Sequence, residues 1–192
     1  MRTTALLLAA HFGNVKVVRL LLEGGANIES ANVDQFTAQH ATAYGGHLHV
    51  CPLLLDWGVK VDPLDKWEFT PLHWAVSSGH LSVVKLLVER GAAFRLMLGA
   101  GPSLLHIAAT NRYVSMAKLL VERGADVRLK GWDGRTPPHD AARYGYLSVL
   151  QLLVERGADV RLKNDNGQTA SDKARSWRKE DVAEWLDLVK ER

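Results

Sequence analysis

The stretch Thr-Pro-Leu-His-Trp-Ala at residues 70–75 decides the fold of this chain, because its key positions recur at a fixed interval. A threonine or serine stands every 33 residues, at Thr4, Thr37, Thr70, Ser103, Thr136 and Thr169. The histidine of the stretch recurs with the same spacing, at His40, His73, His106 and His139. A constant period of this length predicts a stack of one supersecondary unit, in which each copy buries its apolar side against its neighbours.

Each repeat is predicted to contain two helices. In the third repeat, the Thr70 hydroxyl can cap a first helix that runs to about Ser78. Pro71 suits the first turn of that helix, because the N–H that proline lacks would have no partner there. An amphipathic pattern from Leu81 to Arg90 predicts the second helix.

A short β-hairpin is predicted between one helix pair and the next. The connection at residues 125–135 contains Asp-Gly at 133–134, which is a tight-turn signal. The repeating unit is therefore predicted to be hairpin, helix, turn and helix.

These residues resemble the ankyrin repeat. The stretch at 70–75, Gly-His at 79–80 and Gly-Ala at 91–92 match its T-P-L-H-x-A core and its helix-end positions. The resemblance implies an all-α fold, an ankyrin-repeat α-solenoid of stacked helix-turn-helix units with short β-hairpin loops. We expect a single ankyrin-repeat domain over residues 1–192 with a C-terminal cap at 169–192. The full repeats are predicted to start near Thr4, Thr37, Thr70, Ser103 and Thr136.

The first repeat lacks part of the pattern. No hairpin precedes Thr4, and Leu-Leu-Leu at residues 6–8 would face a missing neighbour. Terminal repeats need a polar outer face for solubility. We therefore expect either a fragment of a longer array or another surface that covers this end, including a second copy through self-association of the uncapped repeat.

The second repeat carries unfavourable substitutions. Gln39 and Thr42 stand where Leu and Ala are usual. Pro52 falls within the predicted second helix, where an interior proline costs about 3 kcal/mol. The sequence predicts local fraying from Cys51 to Leu55.

The composition is that of an ordinary globular chain. The 192 residues are 47% apolar, which is enough for a continuous core. The longest apolar runs, such as residues 5–10, are too short to span a bilayer, and the N-terminus lacks the pattern of a secretory signal. Because Cys51 is the single cysteine, no internal disulfide can form. These features predict a cytoplasmic location, with the nucleus as the alternative.

The recurring histidines are the first candidates for chemistry. Zn–N distances are about 2.0–2.1 Å, whereas packed helices lie roughly 8–10 Å apart, so histidines of successive repeats cannot share one ion. We interpret each as bonding to its own threonine-containing turn and to a neighbouring backbone group. His47 and His49 lack cysteine or carboxylate partners at ligand spacing, and Cys51 falls on an apolar helix stripe.

No Walker loop, H-E-x-x-H or G-x-S-x-G motif occurs. The sequence therefore predicts a chain that is not an enzyme and that uses no cofactor, metal or small-molecule substrate.

The positions that differ between repeats lie just before each threonine and near the end of each first helix. Because packing constrains the core positions, we expect specificity at these variable ones, on a concave face formed by hairpin tips and first helices. The ankyrin family usually binds proteins through this face, so the resemblance implies a non-catalytic protein–protein interaction scaffold. The predicted partner-binding residues are Phe36, Tyr44, Lys66, Trp67, Phe69, Ser77, Asn111, Trp132, Asp133, Arg135, Arg143 and Tyr144.

The prediction of a binding face depends mainly on the aromatic residues of this set. Aromatic residues and arginine are enriched at interface hot spots. Trp67, Phe69, Trp132 and Tyr144 fall at positions expected to be exposed. The other interpretation is that some of these rings fold back onto the adjacent hairpin as packing.

Two alternative functions stay open. Residues 119–130 and 152–163 are identical, as recent duplication or engineering of a stable module without an evolved partner would produce.

Arg95, Arg128 and Arg161 recur after the second helices and could form a basic surface for nucleic acid or an acidic membrane. The net charge is only +3, from 24 Lys+Arg and 21 Asp+Glu, and the two signs are interspersed. Nucleic-acid binders usually concentrate basic residues in a stripe, so this balance disfavours such a partner.

Overall fold

The computed structural model describes residues 4–94 and 101–191, which belong to two compact units divided between Phe94 and Arg95. The helices of the first unit are α1 Ala5–His11, α2 Val15–Glu23, α3 Ala38–Gly45, α4 Val50–Asp56, α5 Pro71–Ser77 and α6 Leu81–Glu89. Those of the second unit are α7 Leu104–Thr110, α8 Val114–Glu122, α9 Pro137–Tyr144, α10 Leu147–Glu155, α11 Ala170–Ser176 and α12 Glu180–Lys190. A short 3₁₀ helix spans Trp132–Gly134.

Each first helix begins after the recurring threonine or serine. Thr70 Oγ1 accepts the backbone N–H of His73 at 3.4 Å, and the backbone N–H of Thr70 donates to His73 Nδ1 at 3.3 Å. In the last repeat, Asp172 takes the place of the histidine and accepts the N–H of Thr169 at 2.9 Å. These reciprocal bonds satisfy N–H groups that a helix start leaves unpaired. Helices α5 and α6 confirm the predicted pair to within one residue.

The helices form two layers in each unit. In the first unit, α3 packs between α1 and α5, and α2 packs against α4. In the second unit, α9 packs between α7 and α11, and α8 packs against α10. Fully buried side chains such as Leu54 and Leu72 in the first unit and Leu150 in the second fill the space between the layers. The all-α stack of helix pairs is the architecture that the period predicted.

Histidines in the turns between helices join neighbouring repeats of the first unit. His80 Nε2 donates to the carbonyl of Tyr44 at 2.9 Å, and His47 Nε2 donates to the carbonyl of His11 at 2.6 Å. Gly46 has a φ of +71°, and a Cβ added there would lie 2.4 Å from His80 Nδ1. Glycine is required at Gly46, because any side chain would displace the histidine that ties the repeats together.

Pro52 lies in the first turn of α4 and not in its interior. Helix α4 begins at Val50, two residues later than the matching helix α6, which begins at Leu81. Proline has no N–H to bond the carbonyl of Leu48, so the regular hydrogen-bonding pattern starts late. Because the first turn of a helix needs no such donors, the helix continues intact to Asp56. The predicted fraying assumed that Pro52 lies in the interior of the helix, and that assumption is wrong.

The connecting loops reverse the chain without forming strands in the part that the structure describes. Within residues 4–94 and 101–191, one isolated β-bridge pairs Ala31 with Thr37. In the third repeat, the N–H of Asp65 donates to the carbonyl of Phe69 at 3.0 Å and closes the loop. The predicted β-hairpins are therefore tight loops, because the paired segment is too short for a ladder.

The second repeat buries polar groups that lack partners. Gln39 and Thr42 are both fully buried. Gln39 Oε1 and Thr42 Oγ1 have no hydrogen-bond partner within residues 4–94 and 101–191. The other end of the Gln39 amide donates to Cys51 Sγ at 3.4 Å, and burial raises the pKa of that thiol to about 11. Cys51 is thus a buried apolar residue, as predicted, and an inert thiol at neutral pH.

Candidate partner-binding grooves

Hydrogen bonds close the loops before the first helices, and in three of the four loops described a side-chain oxygen accepts two of them. We call these the tip loops, and they comprise residues 32–36, 65–69, 131–135 and 164–168. Asp65 Oδ1 accepts the N–H groups of Trp67 and Phe69, each at 2.9 Å. An asparagine makes the same two bonds in the tip loops 32–36 and 164–168. The N–H of Lys66 also donates to the carbonyl of Asp34 at 2.9 Å, which joins two neighbouring tips.

In the first unit, the tip loops and first helices enclose a groove of about 310 Å³, which we call the aromatic groove. It is lined by His11, Asn32, Asp34, Phe36, Tyr44, Trp67 and Trp74. Trp74 lies at its centre, with its ring centroid 5.5 Å from Phe36, 5.6 Å from Tyr44 and 6.3 Å from Trp67. All three contacts are edge-to-face, the geometry that aromatic rings prefer. Trp74 Nε1 donates to Asp65 Oδ2 at 2.8 Å, which fixes the indole.

Most of the predicted binding residues of the first unit belong to this groove. Those that line or border it are Phe36, Tyr44, Lys66 and Trp67. Phe69 is half-buried and stacks on the imidazole of His73 at 5.5 Å, so this ring packs against the repeat. Ser77 is exposed at the end of α5 and lies outside the lining of the groove.

Sequence reasoning missed Trp74, which it assigned to the recurring stretch. The corresponding positions in the repeats on either side hold Ala41 and Ile107. An indole is far larger than either side chain, and here it is only partly buried. An oversized ring in a first helix was the signal that could have identified it.

In the second unit, the corresponding groove has a volume of about 230 Å³, and we call it the arginine groove. It is lined by Pro102, Ile107, Thr110, Asn111, Trp132, Arg135, Asp140, Arg143 and Tyr144. Five of the six predicted residues of this unit are among them. The sixth, Asp133, is exposed at the tip of its loop, with a φ of +58°.

Cationic side chains dominate the arginine groove. Arg135 Nη1 lies 3.0 Å from Asp140 Oδ1, and only 17% and 8% of the two side chains are exposed. Burial raises the pKa of Asp140, and the charge of Arg135 opposes that shift. The guanidinium of Arg143 lies 4.3 Å from the ring centroid of Trp177 and 5.4 Å from that of Tyr144. The two grooves therefore differ in charge as well as in shape.

The recurring histidines have structural roles, as predicted. His106 Nδ1 accepts the N–H of Ser103 at 3.2 Å, and its Nε2 donates to the carbonyl of Arg135 at 2.9 Å. The same pair of contacts is made by His40 and His139. Burial lowers the pKa of His106 to about 4, so the ring is neutral at pH 7. With both ring nitrogens engaged, these histidines are not available as general bases or metal ligands.

His73 differs from the other recurring histidines at one nitrogen. Its Nδ1 bonds to Thr70, but its Nε2 has no hydrogen-bond partner among the residues described. In the same part of the chain, no cluster of three or more His, Cys, Asp or Glu is placed to hold a metal ion.

Two other surfaces were expected to be exposed, the outer side of the first repeat and the recurring arginines after the second helices. Leu20 of α2 is 67% exposed, whereas Leu53, at the same position of the next repeat, is 9% exposed. The preceding helix pair covers this position in the second repeat, and the described residues place no helix pair before α1 and α2. Of the three arginines that recur after the second helices, Arg161 pairs with Asp159 at 3.0 Å, and Arg95 lies outside the described residues.

Comparison with known proteins gives the family. A family model described as ankyrin repeats (3 copies) matches residues 6–97 and 105–187, which is most of the chain. The chain belongs to the ankyrin-repeat family. Ankyrin repeats are generally protein–protein interaction modules, and the ankyrin fold is typically a non-catalytic scaffold. In the described part of this ankyrin-repeat chain, no helix has the length and apolar character needed to cross a bilayer.

Two solved structures resemble this ankyrin-repeat chain along nearly its whole length. One is described as the Bd0816 predatory endopeptidase from Bdellovibrio bacteriovorus in complex with immunity protein Bd3460. The matching chain in it is 27% identical, with a TM-score of 0.89 over 98% of this chain and 99% of that chain. The human ASB11 ankyrin repeat domain is also 27% identical, with a TM-score of 0.65 over 97% of this chain and 98% of that one. No curated protein sequence matches this chain significantly.

Proposed function

We propose that this ankyrin-repeat protein is a non-catalytic scaffold that binds a partner protein through its tip loops and first helices. The observation that carries the proposal is that each unit holds large aromatic rings at the mouth of a preformed groove. Trp67 and Trp132 are 51% and 56% exposed, although each sits on a tip loop closed by its own hydrogen bonds. Exposed rings on a rigid support bind a partner at little cost in conformational entropy.

The comparisons support a protein as the partner. Protein binding is the general role of ankyrin repeats, and one related chain comes from a structure of two proteins in complex. The partner of the present chain is proposed only at the level of class, namely a folded protein or a peptide segment. A cytoplasmic location belongs to the same proposal and is supported by the single cysteine.

The charge distribution argues for this proposal over a basic surface for nucleic acid. Arg161 is paired with Asp159 at 3.0 Å, and Asp126 lies two residues before Arg128, whose backbone N–H donates to Asp126 Oδ1 at 2.8 Å. Exposed pairs of this kind give little net field beyond about 10 Å at physiological salt. Binding with a steep salt dependence would favour nucleic acid instead.

Affinity capture with matched variants tests the proposed function. The parent chain is compared with Trp67→Ala/Trp132→Ala, which alters one exposed ring in each groove, and with Trp57→Ala. Trp57 is 44% exposed and directly follows α4, so it belongs to neither the tip loops nor the first helices. We expect the parent and the Trp57 variant to retain the same protein, and the double variant to lose it while its circular dichroism spectrum stays native. Equal retention by all three chains would contradict binding through the grooves.

A further inference from the structure

A cation of the protein itself borders the aromatic groove and contacts two of its lining residues. Lys66 Nζ lies 4.3 Å from the ring centroid of Trp67 and forms an ion pair with the carboxylate of Asp34. Both charged side chains remain partly exposed, at 44% and 31%. The groove thus offers an ammonium group two favourable contacts, an aromatic face and a carboxylate, at a place that an external group could also reach.

Asp65 places a second negative charge next to the rings of the aromatic groove. Asp65 is 4% exposed and accepts three N–H groups, from Trp67, Phe69 and the indole of Trp74. No Lys or Arg forms an ion pair with Asp65 in the part of the chain described. Its charge is therefore offset by hydrogen bonds alone, and the bond to Trp74 Nε1 enriches the indole in electron density. Both effects make the centre of the groove favourable for a positive charge.

We infer that the aromatic groove receives a cationic side chain of the partner, an ammonium or guanidinium group, which takes the place of Lys66 between the ring of Trp67 and the carboxylate of Asp34, in the groove that Trp74 also lines. This inference rests on the proposed function and names the chemistry that the first unit recognises. An anionic group would meet Asp34 and the negative faces of the rings. An uncharged aliphatic group would gain only contact with the rings.

The arginine groove provides a comparison within the same chain. Its position equivalent to Trp74 is Asp140, which is already bound to Arg135, and Arg143 covers the ring of Tyr144. The Asp140 side chain is only 8% exposed in its pair with Arg135, whereas that of Asp34 is 31% exposed in its pair with Lys66, so an external cation can reach Asp34 but not Asp140. The inferred preference therefore belongs to the first unit, and probes should perturb the indoles of Trp67 and Trp74 without perturbing that of Trp132.

The test uses the full chain and four short acetylated peptides, Gly-Ser-X-Ser-Gly-amide, in which X is lysine, trimethyllysine, arginine or norleucine. Norleucine has the carbon chain of lysine without its ammonium group. Binding is followed by NMR through the indole N–H signals of the tryptophans, assigned by single Trp→Phe variants. We expect the charged peptides to shift the signals of Trp67 and Trp74. The ranking of lysine, trimethyllysine and arginine then identifies the cation.

Three variants separate recognition of the cation from general contact. Asp34→Asn should weaken binding about 2- to 5-fold, and Lys66→Ala, which removes the internal competitor, should strengthen it by a similar factor. Glu68→Gln removes an exposed carboxylate of the same tip loop that does not line the groove, and should leave the affinity unchanged.

Equal binding of the norleucine peptide would overturn the inference, and the groove would then be an apolar docking site within the proposed function. Failure of every peptide at millimolar concentration, or shifts at Trp132 alone, would also overturn it. The proposed function is judged separately, by loss of the captured partner from the double tryptophan variant.

Discussion

Replacing Thr42 with valine should stabilise the protein, because Thr42 buries a hydroxyl that has no partner. The residue is fully buried in α3, and its Oγ1 makes no hydrogen bond within the described residues. The equivalent position is alanine in every other repeat, at Ala9, Ala75, Ala108, Ala141 and Ala174. Valine exchanges the hydroxyl for a methyl group of nearly the same size, so the existing space accommodates it.

The size of the effect follows from the cost of an unmade hydrogen bond. A buried polar group without a partner costs about 1–3 kcal/mol, which Thr42→Val should recover. With a urea m-value of about 2 kcal/mol per molar, the midpoint should rise by roughly 0.5–1.5 M. Thr42→Ser is the matched control, because it keeps the hydroxyl and loses a buried methyl group worth about 1 kcal/mol.

Urea unfolding, followed by circular dichroism and tryptophan fluorescence, measures both variants beside the parent. The expected order of stability is valine, then the parent, then serine, with an unchanged m-value. Because repeat arrays can unfold in more than one step, the transition that involves the first unit is the one to compare. A valine variant no more stable than the parent would refute the reasoning and mean that the hydroxyl is satisfied.

Other predictions concern ionisation, thiol reactivity and the exposed side of the first repeat. Burial lowers the pKa of His73 and of His106 to about 4, below the unfolded value of 6.5, so the unfolded state binds more protons. The free energy of unfolding should therefore be highest above pH 6.5 and should fall by about 2 kcal/mol for each of these histidines at pH 5. Urea titrations at pH 7.5 and pH 5 measure this difference, and equal stability at the two pH values would contradict it. Cys51, with a pKa raised to about 11, should react with a thiol reagent only after unfolding, and immediate labelling of the native protein would contradict its burial. Leu20→Lys should change the free energy of unfolding by less than about 0.5 kcal/mol, whereas Leu53→Lys should lower it by several kcal/mol. Similar losses of stability in the two variants would show that Leu20 is covered. A fall in sedimentation mass in Leu20→Lys alone would identify this surface as the predicted site of self-association.

The sequence revealed those parts of the fold that depend on local chemistry. Thr70 and His73 specify a helix start through bonds spanning three residues, and the recurrence of the threonine or serine in all six repeats predicted every first helix. The position of Pro52 was misjudged because helix starts depend on single hydrogen bonds, which a pattern of apolar residues places only to within a turn.

The candidate site was less predictable, because its contacts join different repeats. Lys66 and Trp67 stood out as variable residues, yet nothing in their spacing shows that Lys66 pairs with Asp34, 32 residues earlier in the sequence. The central role of Trp74 depends on rings contributed by two first helices and two tip loops. The buried pairing of Arg135 with Asp140 lies within one repeat, and it depends on the directions of two side chains five residues apart, which the sequence does not show.

The most direct test of the central claim is to map which residues touch the partner. A photoreactive benzophenone amino acid is placed at position 67 or 132 on a tip loop, or at position 57 at the end of α4, and each chain is irradiated in cell lysate. We predict a discrete protein adduct from positions 67 and 132 and none from position 57, with the adduct suppressed by excess unmodified chain. Adducts of equal yield from all three positions, or an adduct from position 57 alone, would contradict binding through the tip loops and first helices.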